Sequence, residues 1–268
     1  MSNLFRWTMV LVALGVWGVP ALPALASSTI PFVGCPGTDM EGPIDPPSGQ
    51  PITVDMPAAA AAKLALYVGH GLGFLAPRGW KCGGDWGSAI GSLWASPQTG
   101  DTDTGPVIVM MAGSAETEPG VSFVRRYCSQ YFQKICSKSD FLKSAQQQGS
   151  LIEGESLVPR FDTDTLNYTS DSQLQYRTPA DHRGLGTEIL NATRYSPNDL
   201  STLSRLPTDG LIEMINDPGP AYLIDLMAIR VSSDSNYLIP FIVKFEMSCP
   251  PFDGNLPCDQ IDFQENNQ

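Results

Sequence analysis

The chain has 268 residues, 42% of them hydrophobic and 16% charged, and a formal net charge of −12. That length and apolar content suffice for one sizeable core. The acidic balance argues against nucleic acid or an anionic lipid surface as partner, while a basic protein partner is permitted by it.

Arg6 precedes an apolar run from Trp7 to Val19, followed by Leu22-Pro23-Ala24-Leu25-Ala26. A basic start, a short apolar core and an A-x-A ending are the parts of a secretory signal peptide, and the run is too short to span a bilayer stably. Cleavage is expected near Ala26, giving a periplasmic or secreted protein without stable membrane insertion. A lipoprotein reading, with Cys35 of Phe32-Val33-Gly34-Cys35 as acylation site, is disfavoured by the polar residues between that cysteine and the apolar run.

Six cysteines remain after such processing: Cys35, Cys82, Cys128, Cys136, Cys249 and Cys258. An even number in an exported chain predicts three disulfides, with fifteen connectivities open. Cys249 and Cys258 bracket the Pro- and Gly-containing loop PPFDGNLP, which favours that pair. Zinc is the alternative for these thiols, but no C-x-x-C or H-x-x-x-H spacing occurs.

Residues 27–57 read as an extended Pro/Gly-rich arm that Cys35 could staple to the body; Asp39, Glu41 and Asp45 read as solvated acids of that arm. The domain proper, 58–260, starts with the stretch Lys63 to Pro97. Lys63 to Tyr67 and Gly73 to Ala76 are apolar strand signals joined by a glycine-rich reversal, a hairpin. Pro77-Arg78-Gly79 predicts a β-turn, and Trp80 and Cys82 then share one face of an extended segment. Gly83, Gly84 and Gly87 predict a loop, and Ser92 to Ser96 the returning strand. The string FLAPRGWKC with its Gly-rich continuation resembles a core motif of secreted bacterial proteins of no assigned function. That resemblance covers about 35 residues and implies no catalytic residue.

Val107 to Ala112 reads as a buried strand. Val121, Val124, Cys128, Tyr131 and Ile135 recur in steps of three and four, one face of a helix. A regular helix would hold Cys128 and Cys136 roughly 12 Å apart, too far for a disulfide, which needs Cα atoms within about 7 Å. A break near Phe132 with local Cys128–Cys136 pairing is favoured, because Ser139-Asp140 looks like the cap of a second short helix ending near Gly149. Leu157 to Phe161, Gln173 to Thr178 and Thr187 to Tyr195 predict an antiparallel meander. Ser196 to Leu206 predicts a short helix, Leu211 to Ile215 a strand, Ala221 to Val231 a helix with Pro220 in its first turn, and Ile239 to Met247 a half-buried strand with Pro240 at its entry. Residues 261–268 form a polar tail. The order of elements implies an α+β fold: one compact domain with a mostly antiparallel sheet and about three to four helices, preceded by the arm.

Candidate chemistry is sparse. His70, in Gly69-His70-Gly71, follows a strand as the oxyanion-hole HG segment of esterases does, but no G-x-S-x-G nucleophile elbow accompanies it. His182 follows Asp181, a pair that rarely has general-base geometry when adjacent in sequence. The two Asp-Thr-Asp-Thr repeats, 101–104 and 162–165, lack the ligands that complete a Ca²⁺ loop, and Glu153 with Glu155 is at best a remote glycosidase pair. Arg78, Trp80 and Trp86 form the best surface-recognition candidate, the alternative being that Trp80 is core and Arg78 caps a carbonyl or pairs with one acid. No cofactor is expected. The leading reading is an exported, disulfide-stabilised, non-enzymatic binding protein, in one version an acidic inhibitor or immunity-type protein; the alternative is an envelope hydrolase using His70 or His182.

Overall fold

The computed structural model describes residues 27–97, 105–115, 117–139, 157–192, 203–216 and 222–248. The expected signal peptide, the first Asp-Thr-Asp-Thr repeat, Glu153, Glu155, most of the helices expected over 139–149 and 196–206, Cys249, Cys258 and the polar tail lie outside those residues. Ser204 to Leu206, the described end of the second of these helices, is not helical.

The fold is α+β and mostly antiparallel, built on a nine-stranded sheet. Its strands, in spatial order, are β11 (Thr165–Tyr168), β12 (Gln173–Thr178), β13 (Thr208–Asn216), β14 (Tyr222–Arg230), β10 (Val107–Ser114), β9 (Ile90–Ser96), β8 (Lys81–Trp86), β3 (Gly37–Asp39) and β4 (Gly42–Ile44). Only β3 and β8 run parallel within it. A smaller sheet joins β2 (Phe32–Gly34) in parallel to the hairpin of β6 (Leu64–Gly69) and β7 (Leu72–Pro77), and β1 (Ser27–Ile30) pairs with β5 (Ile52–Asp55). The arm is thus extended, as expected, and also woven into the body: its strands pair with β6 and β8, and Cys35 is bonded to Cys82, with Cα atoms 5.3 Å apart. Cys35 is buried in that bridge, which leaves no thiol there for acylation.

Strand alternation divides the core in two. Ile108, Met110, Leu211, Met227 and Ile229 face one cluster; Val107, Val109, Ile212, Leu226 and Ala228 face the other. On the second face lies α2 (Glu118–Tyr131), contributing Val124, Tyr127 and Cys128. At Phe132 the backbone leaves the helical region (φ −125°, ψ 42°) before the short α3 (Gln133–Cys136), and the Cys128 and Cys136 Cα atoms come within 6.0 Å and are bridged. The break expected there is present. On the first face lie the small sheets and α1 (Ala58–Ala61).

Several expectations are corrected. Thr187 to Tyr195 is no strand: the helix α4 (Leu185–Ala192) covers its described part. Its first amides are capped from far away, Leu185 N–H donating to Asp164 Oδ2 at 2.7 Å and Gly186 N–H to Thr178 Oγ1 at 3.0 Å. Leu157 to Phe161 is not a strand but a strap along α2, with Val158 N–H bonded to Arg126 O and Tyr131 Oη to Pro159 O; the first strand of the meander is β11 instead. Ala221 to Val231 is strand β14, not a helix. Leu223 to Arg230 are all buried because β14 is sandwiched between β13 and β10 and covered on both faces, so a continuous apolar run serves a two-sided strand. Ile239 to Met247 is the reverse case: it is helix α5 (Ile239–Ser248), following a 3₁₀ turn, Ser233–Leu238. Pro240 sits in its first turn, where a missing N–H is harmless, and Leu238, Ile242 and Phe245 form the buried stripe. Gly83 and Gly84 belong to β8 rather than to a loop: the indoles of Trp94 and Trp86 lie over them and occupy the space that side chains would fill.

Candidate functional site

The hairpin between β6 and β7 turns through two residues, His70 (φ 38°) and Gly71 (φ 87°), with Gly69 paired to Leu72. Both are left-handed, the two-residue reversal that matches strand twist, and it holds the exposed His70 ring 5.2 Å from the Trp86 ring in an edge contact. Trp86 ends β8. Its indole lies across Gly84 and its cross-strand partner Gly91, where any Cβ would collide with the ring. At the end of β10, Ser114 donates its N–H to Ala89 O, which fixes the β8–β9 turn against it.

Between these elements is a pocket of about 320 Å³ lined by His70, Leu72, Trp86, Ile90, Ala112 and Ser114. Trp86 Nε1 and Ser114 Oγ are both buried and have no hydrogen-bond partner among the described residues. On the other side of the same turn lies a second cavity of about 420 Å³, lined by Met40, Asp85, Ser88, Phe123 and Arg126, and Arg126 Nε is likewise buried with no hydrogen-bond partner among the described residues. A third concavity, about 900 Å³, is a mostly apolar groove between α5 and strands β12 and β13, with Tyr176, Tyr237, Phe241 and Met247 in its walls.

The other candidates separate. Arg78 is spent on the backbone: Nε donates to Leu64 O at 2.8 Å and Nη2 to Ala61 O at 2.9 Å, tying α1 to the hairpin. Trp80 is packed against the core, its backbone N–H donating to Tyr67 Oη. Trp86 stands six residues further along the extended chain, roughly 20 Å away, so the three do not converge. Arg78→Ala is expected to destabilise by about 1–2 kcal/mol through the lost charged hydrogen bonds, measurable as a lower midpoint in urea. His182 is exposed in a turn, Nδ1 2.8 Å from Ala180 O, beside Asp181, whose N–H donates to Ser204 O. The second Asp-Thr-Asp-Thr repeat is structural: Asp164 accepts from Thr178 and from the first amide of α4, and burial holds its carboxyl above the ordinary range despite those bonds.

Sequence reasoning found Trp86 and His70 but missed Ser114, which local pattern cannot mark, and a trio of acids, Glu213, Asp225 and Glu246. Asp225 and Glu246 are 6% and 3% exposed, and none of their four oxygens has a hydrogen-bond partner among the described residues. Among the described residues no group of three or more His, Cys, Asp or Glu is arranged to hold a metal ion, and no helix is long and apolar enough to cross a membrane. No protein-family model matches the chain, and comparison with curated proteins and with solved structures yields no match, so its function has to be inferred from its own residues.

Proposed function

We propose that the chain is an exported protein, periplasmic or secreted after cleavage near Ala26, that is stabilised by disulfides and acts by binding a basic protein partner. The binding reading is carried by one observation: Trp86 Nε1 and Ser114 Oγ, buried in the walls of one pocket, have no hydrogen-bond partner among the described residues. Buried polar atoms are nearly always hydrogen-bonded, and an indole N–H can only donate. The group that completes the pocket therefore carries an acceptor, and a main-chain carbonyl on an inserted loop fits the volume. Met40, 80% exposed, and Arg126 around the neighbouring cavity add the methionine and arginine typical of recognition surfaces. The net charge of −12 accelerates encounter with a basic partner and makes binding salt-sensitive. The two bridges, Cys35–Cys82 and Cys128–Cys136, support an oxidising compartment.

The test is retention of a basic protein from envelope extract on immobilised wild type and on Trp86→Phe, which keeps an aromatic ring and removes the N–H. Salt-sensitive retention that weakens about tenfold in the variant, the equivalent of one hydrogen bond, supports the reading. Equal retention by both, or none by either, removes it. One observation favours hydrolysis as a second reading: His70 and Ser114 line the same pocket. His70 leans on Trp86 rather than on a carboxylate, and a fluorophosphonate probe decides. Labelling of Ser114 that is lost in His70→Asn would establish the hydrolase, and an unlabelled protein would dismiss it.

A further inference from the structure

Glu213 and Asp225 are directly paired across β13 and β14, so their side chains leave the same sheet face within about 5.5 Å of one another at Cβ. That is the face on which α5 packs, through Ile242 and Phe245. Glu246, the residue after Phe245, enters the same space: Glu213 acts on Asp225, and both act on Glu246.

Among the described residues the charges that act on Asp225 and Glu246 are acids. From β12 the neighbour is Gln173, which bonds Glu213; from β10 the partner of Asp225 is Ala112; β7, packed against α5, brings no ionisable side chain. Arg230 is bound to Thr208 on the opposite face, Arg177 pairs with Asp209, and Lys244 of α5 lines the groove. Two carboxylates buried beyond nine-tenths, unpartnered and facing a third acid, cannot all be ionised in a closed structure.

We propose that α5 is a proton-held latch: it closes on the sheet when Glu246, Asp225 and Glu213 are protonated and loosens as they ionise, opening the groove that it walls. Burial first, and the neighbouring acids second, hold Asp225 and Glu246 well above the usual carboxylate range; burial also raises Glu213. With folded-state values above unfolded ones, the native protein holds more protons than the unfolded chain from the ordinary carboxylate range upward. The stabilisation is fully present below that range and is lost as the pH rises through the raised values. This goes beyond the partner-binding reading and does not depend on it: the latch is read on the amides of α5, which line none of the Trp86 pocket, although Asp225 has Ala112 of that pocket's wall as its cross-strand neighbour.

Hydrogen exchange of the full oxidised chain at pH 5 and pH 8.5, corrected for intrinsic rates, tests the latch on amides 239–248 against those of β10 and β14. In wild type, protection of the helix should fall at least tenfold more than that of the strands, the response to a tenfold difference in proton affinity at a single carboxyl between the closed and open states. In Glu246→Gln and in Asp225→Asn, which keep the shape and remove a titrating group, the pH-dependent part of that loss should shrink. Helix protection that follows the strands at both pH values overturns the proposal. So does an undiminished pH response in whichever of the two variants folds.

Discussion

Replacing Cys35 and Cys82 together by Ser should destabilise the protein by roughly 4 kcal/mol, the chain-entropy value for a loop of this length. The bridge spans 47 residues and encloses the part of the arm that follows Cys35, α1 and the β6–β7 hairpin. Without it the unfolded chain regains the freedom of that whole loop, and the short strands β1 to β5, which have few residues each, must hold by pairing alone. The Cys128–Cys136 bridge spans only 8 residues, and its removal should lower stability by roughly 2.5 kcal/mol on the same relation. Urea midpoints of the two double-serine variants, with equal slopes, would check both the size and the order of the effects. A larger loss from the short bridge would mean that the kink at Phe132 is held by the bridge itself rather than by the packing of Phe132 and Tyr131.

The contrast between those two bridges also explains how far the fold is legible in the sequence. The Cys128–Cys136 geometry is legible because helical rise is a strict ruler: either the helix breaks or the thiols part. Cys35 can be suspected of stapling the arm, but its partner cannot be named, since parallel pairing of β2 with β6 and β3 with β8 leaves no local trace. The β6–β7 hairpin is legible from Gly69 to Gly73 for the opposite reason, its turn being a two-residue affair. Elsewhere, tertiary context chooses between periods that a short apolar run satisfies equally well. Ile224, Met227, Ala228 and Val231 fit a helical stripe, yet alternate residues of β14 serve two different cores. The alternation of Phe241, Val243 and Phe245 fits a strand, yet Ile242 and Phe245, three apart, are the pair buried by α5. For α4 the deciding groups, Asp164 and Thr178, stand in another part of the chain. The candidate pocket follows the same logic: Trp86 announces itself by type, whereas Ser114 and Asp225 matter only because of what the sheet sets beside them.

Phe245→Ala should destabilise the protein by about 3–5 kcal/mol, the range for removing a fully buried aromatic ring. Phe245 is completely buried, and with Ile242 it is the apolar anchor of α5 on the sheet. The neighbouring Glu246 makes this substitution informative beyond its size, because the helix is held by two kinds of force with different pH responses. Apolar packing is indifferent to pH, so the loss from Phe245→Ala should appear at pH 5 as well as at pH 8.5. Glu246→Gln removes a group that is held protonated by burial, and its effect should be small at pH 5 and should become a gain at pH 8.5, where the wild type must otherwise accept a buried negative charge or release the helix. Combining the two in one chain tests whether they act through the same element. If Phe245→Ala already frees α5, Glu246 becomes hydrated and the gain from Glu246→Gln at high pH should vanish, a non-additivity expected of neighbours that share one docking event. A full gain that persists in the double variant would instead mean that Glu246 stays buried without the Phe245 ring, so that Ile242 and Leu238 suffice to keep α5 docked.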